Sequence, residues 1–184
     1  FHRHTPGIGV GGHCIPVDPY YYISIADSVG YESLISKSAR EINEGMPKFA
    51  CSEISEIVSE RGGTKRALVL GYSYKPELGD IRETPVRDLV KEMLDEGFEV
   101  LIWDPVVSAD DLPKEAIILD SPYESGELGI VVLATAHEEI IRLDWRRLGG
   151  NMGNRIIYDG RRVLDRELLE SEGWEYFGIG SPRK

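Results

Sequence analysis

The sequence predicts an α/β protein in which a helical arm precedes a doubly wound, mostly parallel sheet. Three observations carry that reading. First, six short, nearly continuous apolar runs follow residue 64: "RALVLGY" (66–72), "FEVLIWDP" (98–105), "AIILD" (116–120), "LGIVVLAT" (128–135), "RIIYDG" (155–160) and "WEYFGIG" (174–180). Second, amphipathic stretches at about 85–96, 137–147 and 163–172 lie between several of these runs. Buried strands alternating with helices form a parallel sheet covered on both faces. Third, no strand-like run occurs before residue 64, where the apolar spacing is helical.

Taken in order, residues 1–17 read as loop, with Pro6, Pro16 and the glycines Gly7, Gly9, Gly11 and Gly12. Asp18-Pro19 reads as a helix start, with Asp18 as N-cap and Pro19 at the first helical position. That helix is expected to turn Tyr21, Tyr22, Ile25, Ala26 and Val29 inward and to stop at Gly30. A second helix, about 32–61, carries Leu34, Ile35, Ile42, Phe49, Ile54, Ile57 and Val58 near helical period. Pro47 should kink or break it, and Gly62-Gly63 should end it. The expected units are therefore residues 1–63, a loop and helical arm, and residues 64–184, the α/β domain.

The formal net charge of −11 over 184 residues argues against nucleic acid or an anionic membrane as a partner. Two cysteines, Cys14 and Cys51, are too few for a disulfide framework and fit a reducing cytoplasm. No apolar run approaches the ~20 residues of a membrane span. The chain opens with Phe1 inside a glycine-rich loop, which raises the expectation of a piece of a longer polypeptide.

Ligands of open α/β sheets sit beyond the carboxyl ends of the strands, at the switch point. The residues there are Lys75, Asp80, Arg82 and Glu83, with Thr84-Pro85 as a helix start; then Asp104-Pro105; then Thr135-Ala136-His137; then Asp159 to Arg162. Lys75, Arg82 and Arg161 would gather on one edge, either as a diphosphate clamp or as ordinary solvated charges. No G-x-G-x-x-G follows the first strand, which disfavours an ordinary dinucleotide site in this domain. Thr135 and His137 read as a helix cap and an exposed first-turn residue.

Cys14 is either a small buried hydrophobe or a nucleophile near a helix N-terminus. Asp18 suits a later step, such as positioning water, and His13, adjacent in sequence, should point away from Cys14. His2, His4, His13 and Cys14 match no common zinc spacing, so no metal is expected. Cys51, on an apolar helix face, reads as core.

Two stretches go further. "PGIGVGGHCIPVDP" (6–19) resembles the catalytic-cysteine loop of the nucleotide-sugar 6-dehydrogenases, and "LGYSYKPELGDIRETP" (70–85) resembles the start of that family's UDP-binding, Rossmann-like domain. "YDGRRVLD" (158–165) resembles a third, shorter segment of the same domain, and all three stand in family order. His13 and Val17 resemble the branch acting on UDP-N-acetylmannosamine; UDP-glucose is the alternative sugar.

The resemblance implies oxidation of a UDP-sugar C6 alcohol to the carboxylate with NAD as cofactor. Cys14 would attack the C6 aldehyde, giving a thiohemiacetal and then a thioester that water hydrolyses. Asp18 would assist water activation and proton transfer. Gly9, Gly11 and Gly12 would lie against the sugar, Lys75 and Arg161 would contact the substrate, and Arg82 would reach NAD. The NAD-binding domain of the family, with its G-x-G-x-x-G, has no counterpart in these residues, so NAD would be held mainly by a domain absent from the chain. The chain alone is therefore expected to bind UDP weakly and not to turn over. A homodimer formed through the helical arm is the implied assembly. Two other readings stay open: a non-catalytic nucleotide-sugar-binding or dimerisation module, and a thiol hydrolase or transferase, which needs a base beside Cys14.

Overall fold

The structure is a computed structural model that describes residues 7–181. Two helices come first, α1 (Asp18–Ser28) and α2 (Leu34–Glu60). A six-stranded sheet follows: β1 (Arg66–Leu70), β2 (Glu99–Trp103), β3 (Ile117–Ile118), β4 (Ile130–Leu133), β5 (Ile156–Asp159) and β6 (Glu175–Gly178). Helix α3 (Pro85–Asp95) links β1 to β2, α4 (Glu138–Ile141) and α5 (Trp145–Leu148) lie between β4 and β5, and α6 (Arg166–Ser171) precedes β6. The strand order is β3-β2-β1-β4-β5-β6 and every neighbouring pair is parallel. The chain reverses direction across the sheet between β1 and β4, which makes that junction the switch point.

Strand alternation assigns the two faces. Ala67, Val69, Val100, Ile102, Val132 and Tyr158 pack with Ile54, Ile57 and Val58 of α2 and Leu89 and Met93 of α3. Leu68, Leu70, Leu101, Val131, Leu133 and Ile157 pack on the opposite side with Ile140, Trp145, Leu148 and Leu169. Both faces are covered, so the strands read as continuous apolar runs rather than as alternating ones.

The helices depart from the sequence reading in four ways. Asp18 is the first helical residue rather than the N-cap, because its own N–H already donates to the Cys14 carbonyl at 2.8 Å. α1 buries Ile23 and Ala26, whereas Tyr21, Tyr22, Ile25 and Val29 are exposed. Helical spacing shows which residues share a stripe, but a neighbour, here α2, decides which stripe is covered. α2 runs unbroken through buried Pro47. The missing backbone bond and the ring's crowding of the carbonyl one turn earlier, together worth ~3 kcal/mol, are outweighed by packing of Ala50, Cys51, Ile54, Ile57 and Val58 against the sheet. The N-terminal half of its stripe, Leu34, Ile35 and Ile42, stays exposed. Finally, the expected helix 137–147 is two short ones, because the Asp144 side chain accepts from Arg147 N–H at 2.9 Å and caps a new start.

Gly129 sits at the entry to β4 with its N–H donating to Arg66 O at 2.8 Å, and a Cβ there would be driven into the Thr64 carbonyl. Gly129→Ala should therefore lower stability by about 1–3 kcal/mol. Gly153→Ala, where a Cβ meets nothing within 4 Å, should stay within about 0.5 kcal/mol of the parent. Urea midpoints of the two variants check the pair.

Candidate functional site

The glycine-rich loop is seated on the segment between β1 and α3. Ile8 is fully buried and anchors its start. The Val10 N–H donates to Asn43 Oδ1 at 2.9 Å, and Asn43 Nδ2 donates back to Val10 O at 3.2 Å. A Cβ at Gly9 would lie 2.9 Å from Pro85, and one at Gly12 would lie 2.9 Å from the Tyr74 ring. At Gly11 it would strike the Glu83 carbonyl. Gly12 N–H donates to Arg82 O at 3.2 Å. The glycines thus permit docking of loop on loop, a contact that side chains would prevent.

Just beyond this seat the chain turns outward. Cys14 is exposed, and its carbonyl accepts from Val17 N–H at 3.0 Å and Asp18 N–H at 2.8 Å. One helical turn therefore carries both Cys14 and the exposed Asp18. The reading of Cys14 as a buried hydrophobe fails, because glycine docking consumes the loop's inward face and leaves the cysteine outside it. Cys51 is core, and burial pushes its thiol up to about 11.

The basic residues stand on loops organised by buried carboxylates. Asp159, closing β5, accepts from the N–H groups of Arg161 (2.9 Å), Arg162 (2.7 Å), Val163 (2.9 Å) and Leu164 (2.9 Å) and from the Tyr176 hydroxyl (2.9 Å). Burial, followed by the Asp159 charge, pushes the Tyr176 hydroxyl well above its ordinary range. Arg161 donates from Nε to Ala134 O at 2.7 Å, while its Nη2 is buried without a hydrogen-bond partner among the described residues. Its Nη1 lies 3.1 Å from where a Gly7 Cβ would stand, so Arg161 abuts the start of the cysteine loop. Burial pulls the guanidinium down from the usual arginine value, and the Asp159 charge opposes that.

Arg82 is exposed and forked onto Asp80, with Nε at 3.0 Å from both carboxylate oxygens and Nη2 at 2.6 Å from Oδ2. The Arg82 hydrogen bonds hold the Asp80 carboxyl at about 2. Lys75 is exposed on the same segment. Among the described residues, the non-glycine residues with left-handed backbone are Glu77 (φ 61°), Glu83 (φ 48°) and Arg162 (φ 54°). Each stands beside Lys75, Arg82 or Arg161, where strain commonly marks a functional loop.

Thr135 is not the helix cap and His137 is not exposed: His137 itself is the N-cap residue of α4, without a side-chain capping bond, and both side chains are buried. Thr135 is fully buried and donates from Oγ1 to Ser73 O at 2.5 Å. His137 is 1% exposed, with Nε2 3.1 Å from Ser73 Oγ and 3.3 Å from Asp104 Oδ2. Asp104, closing β2, also accepts from the N–H groups of Tyr72, Ser73, Val106 and Val107. Burial raises its carboxyl, but His137 and the backbone donors outweigh that and hold it well below the usual carboxylate range. The sequence signal for these cages was an Asp directly after an apolar run, in "WDP" and "YDG". Asn43 and Ser73 gave no such signal. No group of three His, Cys, Asp or Glu among the described residues is placed for a metal ion, and His2 and His4 lie outside those residues. Two clefts of about 600 Å³ open elsewhere, one between α3 and the loop after β2, the other beside Tyr123. Cys14, Lys75 and Arg161 line neither.

Residues 68–166 match the UDP-binding domain of the UDP-glucose/GDP-mannose dehydrogenase family, more than half of the chain. The chain belongs to that family. Residues 1–45 match its central domain. A UDP-N-acetyl-D-mannosamine dehydrogenase of Methanocaldococcus jannaschii is 32% identical over 95% of this chain and 39% of that protein. A UDP-N-acetyl-D-glucosamine 6-dehydrogenase of Pseudomonas aeruginosa is 35% identical over 88% of this chain and 39% of that protein. The solved structure of a UDP-D-ManNAc dehydrogenase from Pyrococcus horikoshii superposes with a TM-score of 0.82 at 34% identity, covering 96% of this chain and 40% of that one. The chain thus spans about 40% of the length of the relatives it matches. The match to the UDP-binding domain takes in Asp104, Asp159 and the backbone donors around them, and the match to the central domain takes in the cysteine loop.

Exposure and thiol chemistry separate the two cysteines. Iodoacetamide at pH 8 should alkylate Cys14 and spare Cys51, read by peptide mass spectrometry. Replacing Asp159 with Ala strips four backbone donors and a hydroxyl of their acceptor and should cost about 3 kcal/mol or more in urea unfolding.

Proposed function

We propose that this chain is the cysteine-loop and UDP-binding portion of an NAD-dependent UDP-sugar 6-dehydrogenase. The observation that supports the reading is the docking of the glycine-rich loop onto residues 74–85, with Gly12 bonded to the Arg82 carbonyl and Gly7 against Arg161, which ties the segment bearing Cys14 and Asp18 to the loops bearing those two arginines. UDP-N-acetylmannosamine is the substrate favoured by His13 and Val17, in keeping with the names of two of the relatives above.

In this reading Lys75 and Arg161 neutralise the diphosphate. Arg161 is suited to it, with a buried Nη2 that lacks an acceptor among the described residues. Cys14, as thiolate, adds to the C6 aldehyde to form a thiohemiacetal, which loses a hydride to become a thioester. Asp18, one turn away, orients the water that hydrolyses the thioester, releasing the carboxylate and restoring the thiol. NAD, when bound, would supply the hydride acceptor for the two oxidations. Arg82 suits its diphosphate, being exposed and oriented by its fork onto Asp80. The exposed stripe of Tyr21, Ile25, Leu34, Ile35 and Ile42 supports self-association through the helical arm. No helix among the described residues is long and apolar enough to cross a membrane, and both cysteines are unpaired; a cytoplasmic setting completes the reading.

Calorimetric titration of the chain with UDP tests the site. Weak binding is expected, reduced about tenfold or more by Lys75→Met and by Arg161→Ala, the loss of one charged hydrogen bond each. Unchanged affinity in both variants would refute the clamp. In the longer polypeptide, Cys14→Ala should abolish carboxylate formation, and full activity in that variant would refute the nucleophile.

A further inference from the structure

Lys75 is exposed, yet the backbone on either side of it is held from within the fold. Two residues on, Glu77 is left-handed at φ 61°, a conformation that persists only where the surroundings over-determine it. Its N–H donates to His137 Nδ1 at 3.0 Å, and its Oε1 accepts from Glu138 N–H at 2.7 Å. Two residues back, Ser73 donates from Oγ to Lys75 O at 3.0 Å, while its carbonyl accepts from Thr135 and its N–H donates to Asp104. His137 is the residue that touches both ends of this five-residue span.

The donors fix its protonation pattern. Nδ1 receives the Glu77 N–H, so it carries no proton. Nε2 faces Asp104, which only accepts, and Ser73 Oγ, whose proton is committed to Lys75 O. Nε2 must supply the hydrogen. The histidine is thus neutral, with its proton on Nε2.

We propose that His137 is the positioning residue for Lys75: seated at the ends of β2 and β4, it ties Ser73 to Glu77 and so aims the lysine at the ligand. This rests on the reading of Lys75 as a diphosphate contact. The role is conformational. His137 is buried and reaches the ligand only through the loop.

Three measurements on the chain test it. Long-range ¹⁵N–¹H correlation at neutral pH should show His137 protonated on Nε2 alone; an Nδ1–H tautomer or an imidazolium overturns the proposal. The Glu77 amide should exchange slowly in the parent. It should stay slow in His137→Asn, whose Oδ1 replaces Nδ1 as acceptor, and become fast in His137→Leu while β1 and β4 remain protected. Fast exchange in the Asn variant with intact strands, or slow exchange in the Leu variant, overturns it, and the Asn variant and the tautomer decide if the Leu variant does not fold. Last, His137→Leu should weaken UDP binding about tenfold, the cost of reordering one or two side chains, but should add nothing in a Lys75→Met background. Equal weakening in both backgrounds would mark a merely structural role and overturn the proposal. If the parent chain binds no UDP, the clamp reading fails by itself, and the tautomer and exchange results still decide the part played by His137.

Discussion

The loops that carry the candidate residues are organised by two carboxylates buried where strands end, Asp104 after β2 and Asp159 within the last position of β5. A buried charge is costly unless its lone pairs are met by donors. Here each carboxylate accepts from four backbone N–H groups and one side chain, His137 in one case and Tyr176 in the other. The same bonds satisfy loop donors that neither the sheet nor a helix reaches. Segments without regular secondary structure thereby gain one conformation. Left-handed backbone at Arg162 and Glu77 is tolerated within it.

A second layer of order comes from loop on loop. The cysteine segment lacks a strand or helix of its own until Asp18, and it borrows its shape from residues 74–85 and from Asn43. Its glycines are accounted for by that contact: Gly9, Gly11 and Gly12 are where Pro85, Glu83 and Tyr74 come too near for a Cβ. Pro47 belongs to the same arrangement. The carbonyl it cannot bond, that of Asn43 one turn earlier, is the one that faces Gly9, at 3.4 Å from a Cβ there. A helix defect and a glycine thus meet at the same spot, and the loop docks there.

Much of this was legible beforehand, and the failures share a cause. Strands buried on both faces announce themselves as apolar runs, and all six were found within a few residues of their ends. Thr84-Pro85 announced α3 because a cap acts within one turn, and the Thr84 side chain does accept from Val86 N–H. Tyr21, Tyr22, Ile25 and Val29 misled because an apolar stripe looks the same whether or not a neighbour covers it. His137 misled because its partners, Ser73, Glu77 and Asp104, are 33 to 64 residues away.

Sequence by itself determined what depends on local or periodic chemistry: the layered α/β fold, the switch-point loops, the core role of Cys51 and the resemblance carried by three short motifs. Tertiary structure alone decided which stripe of α1 is covered, that α2 continues through Pro47, that the loop glycines meet protein, and that His137 is buried against Asp104. The reason is range. Capping, strand alternation and helical period act within a few residues, whereas burial of a polar side chain depends on which distant donors and acceptors the sheet order brings to it.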